Sequence, residues 1–437
     1  MKKWNLAKIL ATVLALVMLF TLTACGGGGK AKDTPAPPQK PTEAPPAQET
    51  PEETPEEELK TDTLKIGALL HQTGWFATVD MNNYYEFNAM VAYINEELGG
   101  WKVGDTVYKL EAVHADGQSD PEALRNAAIS LVDAGVKFTV VTNDFWVIAC
   151  QDVFEEAGVL QSCAYPVYVP GYFSPDNPMT FTASNGVVGD YAAAFPFIAE
   201  YYPQVKTVIF CNDDNGTNET IFNMMRDIAA QYDIEVLENY IMYAGDTTDF
   251  SSVALQIVQS GADCFMGNGS PDAYGAILKE VRALGSDQVC ACIQGKPAKV
   301  LMEYAGPDAC YNAFTVAAST AEVDRVMNND VFNGVVDKVR EMYGAETAAS
   351  FDGAACNNLY VILQAIQKAG SIDAEVVAKT WENMGTVETI YGTGKLGGEK
   401  TYGIANHVVA HPKPISVIDP EAEGGWYFWG WVPVEIP

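Results

Sequence analysis

Six aromatic residues fall in three pairs in the first half of the chain: Trp75 and Phe76, Phe145 and Trp146, Tyr165 and Tyr168. Such rings make no bonds with a substrate; they bury apolar surface, roughly 150–250 Å² each. Two or three sharing a small guest supply several kcal/mol at about 25 cal/mol per Å². That suffices for about micromolar capture, near -8 kcal/mol, when the ordering cost is low. Polar residues that can orient a guest are Asp144 beside the second pair, Asn215 in Asn212-Asp213-Asp214-Asn215-Gly216, Ser270 in Asn268-Gly269-Ser270-Pro271-Asp272, and Gln294. Residue sets that make or break bonds do not stand out. His407 and His411 flank a strand-like Val408-Val409, where that spacing puts them about 13 Å apart, so no metal site is expected. Gly392-Thr393-Gly394-Lys395 is shorter than a phosphate-binding loop, and neither a Gly-x-Ser-x-Gly elbow nor a zinc-protease His-Glu pair occurs. The expected chemistry is non-covalent binding, with no catalysis, cofactor or metal.

Each ring pair follows an apolar run of strand length, so a scaffold must hold several strand ends together. Residues 64–70 form the first run. Residues 83–98 carry Phe87, Met90, Val91, Ile94 and Leu98 at helical spacing and stop at Gly99-Gly100. A strand is predicted over 107–113. Asp120-Pro121-Glu122 then starts a helix, with Asp as N-cap, Pro in the first turn and Glu near the positive end of the dipole. Residues 138–141 read as strand again. The alternation resumes with strands at 207–211, 235–242, 263–266 and 289–293 between helices at 219–232, 250–260 and 273–284. Continuous apolar strands between helices mean parallel sheets covered on both faces, and the loops at their carboxyl ends share one rim. The expected fold class is α/β: two doubly wound parallel-sheet lobes whose rims face across a cleft. The closing Trp426-Tyr427-Phe428-Trp429-Gly430-Trp431 reads as an edge strand on the second lobe.

At the amino end, Lys2 and Lys3 head an almost uncharged apolar run from Leu6 to Ala24, the pattern of an export signal. Leu22-Thr23-Ala24-Cys25, followed by Gly26 to Gly29, resembles the bacterial lipobox, which implies lipid on the Cys25 sulfur and a mature chain beginning there. Two or more acyl chains on one Cys give stable anchoring. Residues 25–61 therefore read as the lipidated Cys and an acidic Pro-rich tether, too poor in apolar surface to fold. The formal net charge of -31 argues against nucleic acid as a partner. Eight further cysteines lie in the body without a disulfide framework. They read as mostly free, buried thiols, with bridges as the alternative in an exported protein.

Lys65-Ile66-Gly67-Ala68-Leu69, Ser119-Asp120-Pro121-Glu122-Ala123 and Asp246-Thr247-Thr248-Asp249-Phe250-Ser251-Ser252 together resemble the type I periplasmic binding proteins of branched-chain amino acid and related ABC transporters. The resemblance covers nearly the whole body. It implies a three-crossover hinge near 182–184, 316–318 and 400–403. Residues 62–183 with 318–401 would form one lobe and 184–317 with 402–437 the other, after a signal peptide at 1–24. It also implies capture of a small-molecule solute by hinge closure and delivery to an ABC permease, outside the cytoplasm, where the lipid anchor holds the protein on the membrane. Relatives that bind α-amino acids hold the carboxylate with hydroxyls and amides after the third and fourth strands, and the ammonium with an acid from the second lobe. Here Asn143-Asp144-Phe145-Trp146 and Tyr165-Pro166-Val167-Tyr168 occupy the first two places and Gln294 the third, and a neutral amide does not balance a buried ammonium. The expected ligand is therefore apolar or aromatic, for example an aromatic acid or amide. Asn215, Ser270 and Gln294 would meet it from the second rim, and Phe351 matches a family position near the ligand. An amino acid, with Asp144 as its acid, and a ligand sensor of the same fold are the alternatives.

Overall fold

Residues 59–437 are described in a computed structural model, apart from 215, 294–297 and 318–328. The expectations for the signal, Cys25, the tether up to residue 58, Asn215 and Gln294 thus lie outside the described residues, while the expected end of the tether at 60–61 is already strand, because the pairing with 106–107 extends that far.

The first sheet has the order β2-β3-β1-β4-β5-β6. Its strands are β1 (Lys60–Leu70), β2 (Trp101–Val103), β3 (Thr106–Asp116), β4 (Phe138–Val141), β5 (Leu160–Cys163) and β6 (Thr180–Phe181). All of its pairings are parallel except β2 with β3. The register sets Leu70 beside Asp116, Leu69 beside Val141 and Val141 beside Cys163, so the loops that follow share one rim. Helix Ala77–Glu96 packs against the returning helices Asp330–Tyr343 and Ala354–Ala369. Ile66, Phe87, Phe138, Phe332, Val361 and Trp381 lie in the core between them and the sheet. The helix begins six residues before the apolar spacing at 83 because its first turns are polar or exposed and carry no periodic signal. Asp120 caps the next helix, Pro121–Asp133, accepting from the Ala123 N–H at 2.8 Å, as its sequence predicts.

The second sheet runs β17-β16-β12-β11-β10-β7-β8, with β9 also paired to β7. It contains β7 (Thr207–Asp213), β8 (Glu235–Val236), β9 (Ile241–Tyr243), β10 (Cys264–Gly267), β11 (Val289–Cys292) and β12 (Ala313–Thr315). The run expected as one strand over 235–242 is two: β8 sits beside Thr207 and Val208, and β9 beside Cys211 to Asp213. The polar Glu238-Asn239 stretch separates them. A smaller sheet joins β13 (Thr386–Thr389), β14 (Gly392–Gly397) and β15 (Val408–Ala410), after which the chain enters the second sheet as β16 (Lys413–Ile418) and β17 (Trp426–Val432). These last two strands pair antiparallel, and the aromatic run forms the sheet edge. The molecule is therefore a two-lobed α/β fold built on two mainly parallel sheets. All eight body cysteines are buried, and no disulfide joins any pair of the described residues.

The first rim meets the start of helix Gly186–Tyr201 directly. Val187 N–H donates to the Pro166 carbonyl at 3.1 Å. Gly186 has φ +55°, and a Cβ there would stand 2.2 Å from that same carbonyl oxygen. Gly186→Ala is expected to cost about 1–3 kcal/mol of stability from backbone strain, read as a lower urea midpoint at unchanged m-value.

Candidate functional site

The loop after β1 is fixed by the loop after β3. Asp116 Oδ1 accepts from the N–H groups of Gln72, Thr73 and Gln118, and Oδ2 from the Thr73 hydroxyl at 2.7 Å. Partial burial works to raise the Asp116 pKa, yet these donors together hold it below the usual range. Ser119 Oγ accepts from Phe76 N–H at 2.9 Å, and Ser119 N–H donates to His71 Nδ1 at 2.9 Å. Gly74, at φ +84°, lies so close to Ser119 that a Cβ would stand 2.5 Å from its hydroxyl oxygen. Trp75 and Phe76 thereby take fixed places at the rim.

These two rings meet the pair from the loop after β4. Trp146 lies 4.7 Å from His71, 5.8 Å from Trp75, 5.8 Å from Phe76 and 5.7 Å from Phe145, centroid to centroid. Exposure orders the group. Trp75 (67%) and Phe145 (52%) face solvent, whereas Trp146 (7%) and His71 (0%) form the inner wall. Their apolar faces and tilted or edge-on packing suit a flat, apolar guest.

Other expected residues sit elsewhere. Asp144 is fully buried, and its oxygens accept from the N–H groups of Val167 at 2.6 Å, Val169 at 2.8 Å and Phe145 at 3.1 Å. Its acceptor capacity is committed to holding the loop after β5 against the loop after β4. Tyr165 turns toward helix Gly186–Tyr201, donating to Asp190 Oδ2 at 2.5 Å; Lys413 reaches Asp190 Oδ1 at 2.8 Å. Tyr168, at φ +73°, donates to the Thr401 carbonyl and packs on Tyr402. Phe351 lies in the first-lobe core, edge-on to Phe332 at 5.3 Å. Ser270 is exposed at the start of helix Pro271–Ala283. Nearby on the second rim, Tyr191 donates to Asn268 Oδ1 at 3.3 Å. Of the expected set, four residues converge, Trp75, Phe76, Phe145 and Trp146, and His71 joins them unexpectedly, packed on Phe76 and Trp146.

Burial pushes Asp80 and Asp144 up to about 6 and, with Asp352 nearby, lifts Glu86 well above the carboxylate range. A folded pKa above the unfolded value means that the folded state holds more protons between about pH 4 and 6. The stability that Asp80 and Asp144 contribute is present below their unfolded pKa and is lost as pH rises through the folded one, on the order of 2–3 kcal/mol each, and Glu86 acts in the same direction. The buried neutral histidines His71 and His411, whose pKa burial lowers, pull the opposite way over the same interval, so the check is a difference: the melting temperature of Asp80→Asn relative to the unaltered chain is expected to rise from pH 5.5 to pH 7.5.

With this geometry in hand, the sequence matches the periplasmic binding protein family over residues 63–415. The chain belongs to that family. Several solved periplasmic binding proteins share the fold. A leucine-binding protein from Thermotoga maritima superposes with a TM-score of 0.64 at 18% identity, covering 85% of this chain and 99% of that one. A branched-chain amino acid transporter substrate-binding protein from Streptococcus pneumoniae, in complex with isoleucine, gives 0.63 at 16%, covering 85% and 99%. An ABC-transporter solute-binding protein from Rhodopseudomonas palustris, in complex with 3,4-dihydroxy benzoic acid, gives 0.63 at 15%, covering 86% and 99%. No curated protein matches the sequence. Among the described residues, no helix is long and apolar enough to cross a membrane. In this family member, His71, Asp116 and Tyr191 escaped the sequence reading. Asp116 and His71 end or directly follow strands, where a polar residue looks like ordinary loop, and only the paired register brings them together.

Proposed function

We propose that this family member is the extracytoplasmic substrate-binding lipoprotein of an ABC importer, and that it captures a small apolar or aromatic organic solute by hinge closure, without catalysis. The ring cluster of Trp75, Phe76, Phe145 and Trp146 with His71 carries this reading. It stands at the carboxyl rim of a parallel sheet, where α/β folds take ligands, and no cationic residue occurs in its loops to hold a carboxylate. Residues 62–183 with 318–401 would move against 184–317 with 402–437, the ligand bridging the rims and shifting the open and closed populations. Asn215, Ser270 and Gln294 are the proposed contacts from the second lobe. Cys25 would carry the lipid, and the acidic segment to residue 61 would hold the lobes off the membrane for docking on the permease.

Leucine or isoleucine is the second reading, favoured by the two similar structures of branched-chain amino acid-binding proteins. The commitment of Asp144 to backbone N–H groups weighs against it, since the amino-acid reading needs an acid facing the ammonium. A thermal-shift screen of aromatic amides, aromatic acids and branched amino acids decides between them. A ligand at a hundred times its Kd adds about 2.7 kcal/mol. Stabilisation by leucine alone would reverse the ligand assignment.

A further inference from the structure

Two buried N–H donors on the inner wall of the ring cluster are unused. Ser119 N–H donates to His71 Nδ1, so that nitrogen is the acceptor of the ring. Burial pushes the His71 pKa down to about 4, and the single proton of the neutral imidazole therefore sits on Nε2. Neither His71 Nε2 nor Trp146 Nε1 meets a partner among the described residues, although both are buried. A buried donor without an acceptor is costly, and native interiors rarely keep one without a reason. The two rings lie 4.7 Å apart, close enough to serve one ligand. His71 cannot easily turn away, because its ring fits flush on Gly117, where a Cβ would stand 2.6 Å from it.

Charge decides what kind of acceptor belongs there. Asp116 acts on His71 through space, Asp80 Oδ2 accepts from the His71 backbone N–H at 2.8 Å, and Asp144 lies two residues from Trp146. Residues 71–80, 116–119, 142–149 and 164–169 contain three aspartates, Asp80, Asp116 and Asp144, and no Lys or Arg. A carboxylate placed at these donors would face like charge without a counter-ion, whereas a carbonyl oxygen accepts the same hydrogen bonds with no net charge to desolvate.

Resting on the capture reading above, we propose that His71 and Trp146 form a two-donor pocket that selects an uncharged aromatic carbonyl compound, an amide or lactam, over the corresponding carboxylate. Trp75, largely exposed and touching Phe76 and Trp146, is the ring that moves to admit it and then covers it.

The test uses three probes of one shape: indole-3-acetamide, indole-3-acetate and 3-methylindole, titrated calorimetrically at pH 7. The indole N–H resonances of 15N-tryptophan-labelled protein are followed in parallel, with the Trp146 signal identified by its loss in Trp146→Phe. The amide is expected to bind at least tenfold tighter than the acid and the methyl compound and to move the Trp146 N–H signal downfield. Trp146→Phe, which keeps a ring and loses the donor, should weaken the amide about tenfold more than it weakens 3-methylindole. Acid or methyl compound binding as tightly as the amide, or amide binding without a shift of the Trp146 signal, overturns the donor pocket and leaves solute capture standing. Failure of all three probes to bind overturns both.

Discussion

Trp146→Ala is expected to weaken solute binding by roughly 70-fold and to lower stability by about 3–5 kcal/mol, the usual range for truncating a buried Trp. The binding figure follows from area. If about 100 Å² of the indole meets the solute once Trp75 has moved, its loss costs about 2.5 kcal/mol at about 25 cal/mol per Å². Trp146 is the hub of the cluster, touching His71, Trp75, Phe76 and Phe145, so its removal also releases the rings that remain. Titration calorimetry and urea denaturation of the same preparation separate the two effects. Trp75→Ala provides the contrast. Its ring is largely exposed, so stability should hardly change while affinity falls.

Lys413→Met should lower stability at pH 7 by about 3–5 kcal/mol, because it strands a buried charge. Asp190 is fully buried, and its carboxylate is held by Lys413 at 2.8 Å and by the Tyr165 hydroxyl at 2.5 Å. Burial pushes the Asp190 pKa up, and Lys413 opposes that push. Without the lysine the pKa rises further, so the folded variant takes up a proton more readily. The loss is therefore largest above the new pKa and shrinks as pH falls below it. Denaturation midpoints at pH 5 and pH 7.5 measure this, and the double variant Asp190→Asn, Lys413→Met should recover most of the deficit. The group joins the loop after β5 to helix Gly186–Tyr201 and β16, so solute affinity in Lys413→Met reports whether it also sets how the rims meet.

The alternation of apolar runs and helices carried the fold class, and the strands over 138–141 and 289–293 stand within a residue of where the sequence puts them. Strong local signals did this: continuous apolar runs, Asp120-Pro121 at a helix start, Gly at helix ends. Boundaries failed where polar residues did the packing, as in the first turns of helix Ala77–Glu96, or where a polar pair split one expected strand in two, as Glu238-Asn239 does within 235–242. The ring pairs after β1 and β4 were legible because aromatics at strand ends stand out against ordinary turn residues. Tyr165 and Tyr168 looked equivalent in the sequence, yet their hydroxyls are drawn to Asp190 and Thr401, long-range partners that no local pattern reveals. His71 was overlooked for the same reason: its role depends on Ser119, which strand pairing brings beside it.

If two lobes shut on a solute held by the rings, the gap between their rims narrows when solute binds. Spin labels at Val79→Cys and Asp272→Cys, both exposed sites beside the two rims, report the gap by electron double resonance. The eight buried body cysteines stay unlabelled, and Cys25 is replaced by serine. Adding the aromatic solute that stabilises the protein best should move the distance distribution to shorter values, and Trp146→Ala should abolish that move. A saturated protein whose distribution stays where it was without solute would contradict the account.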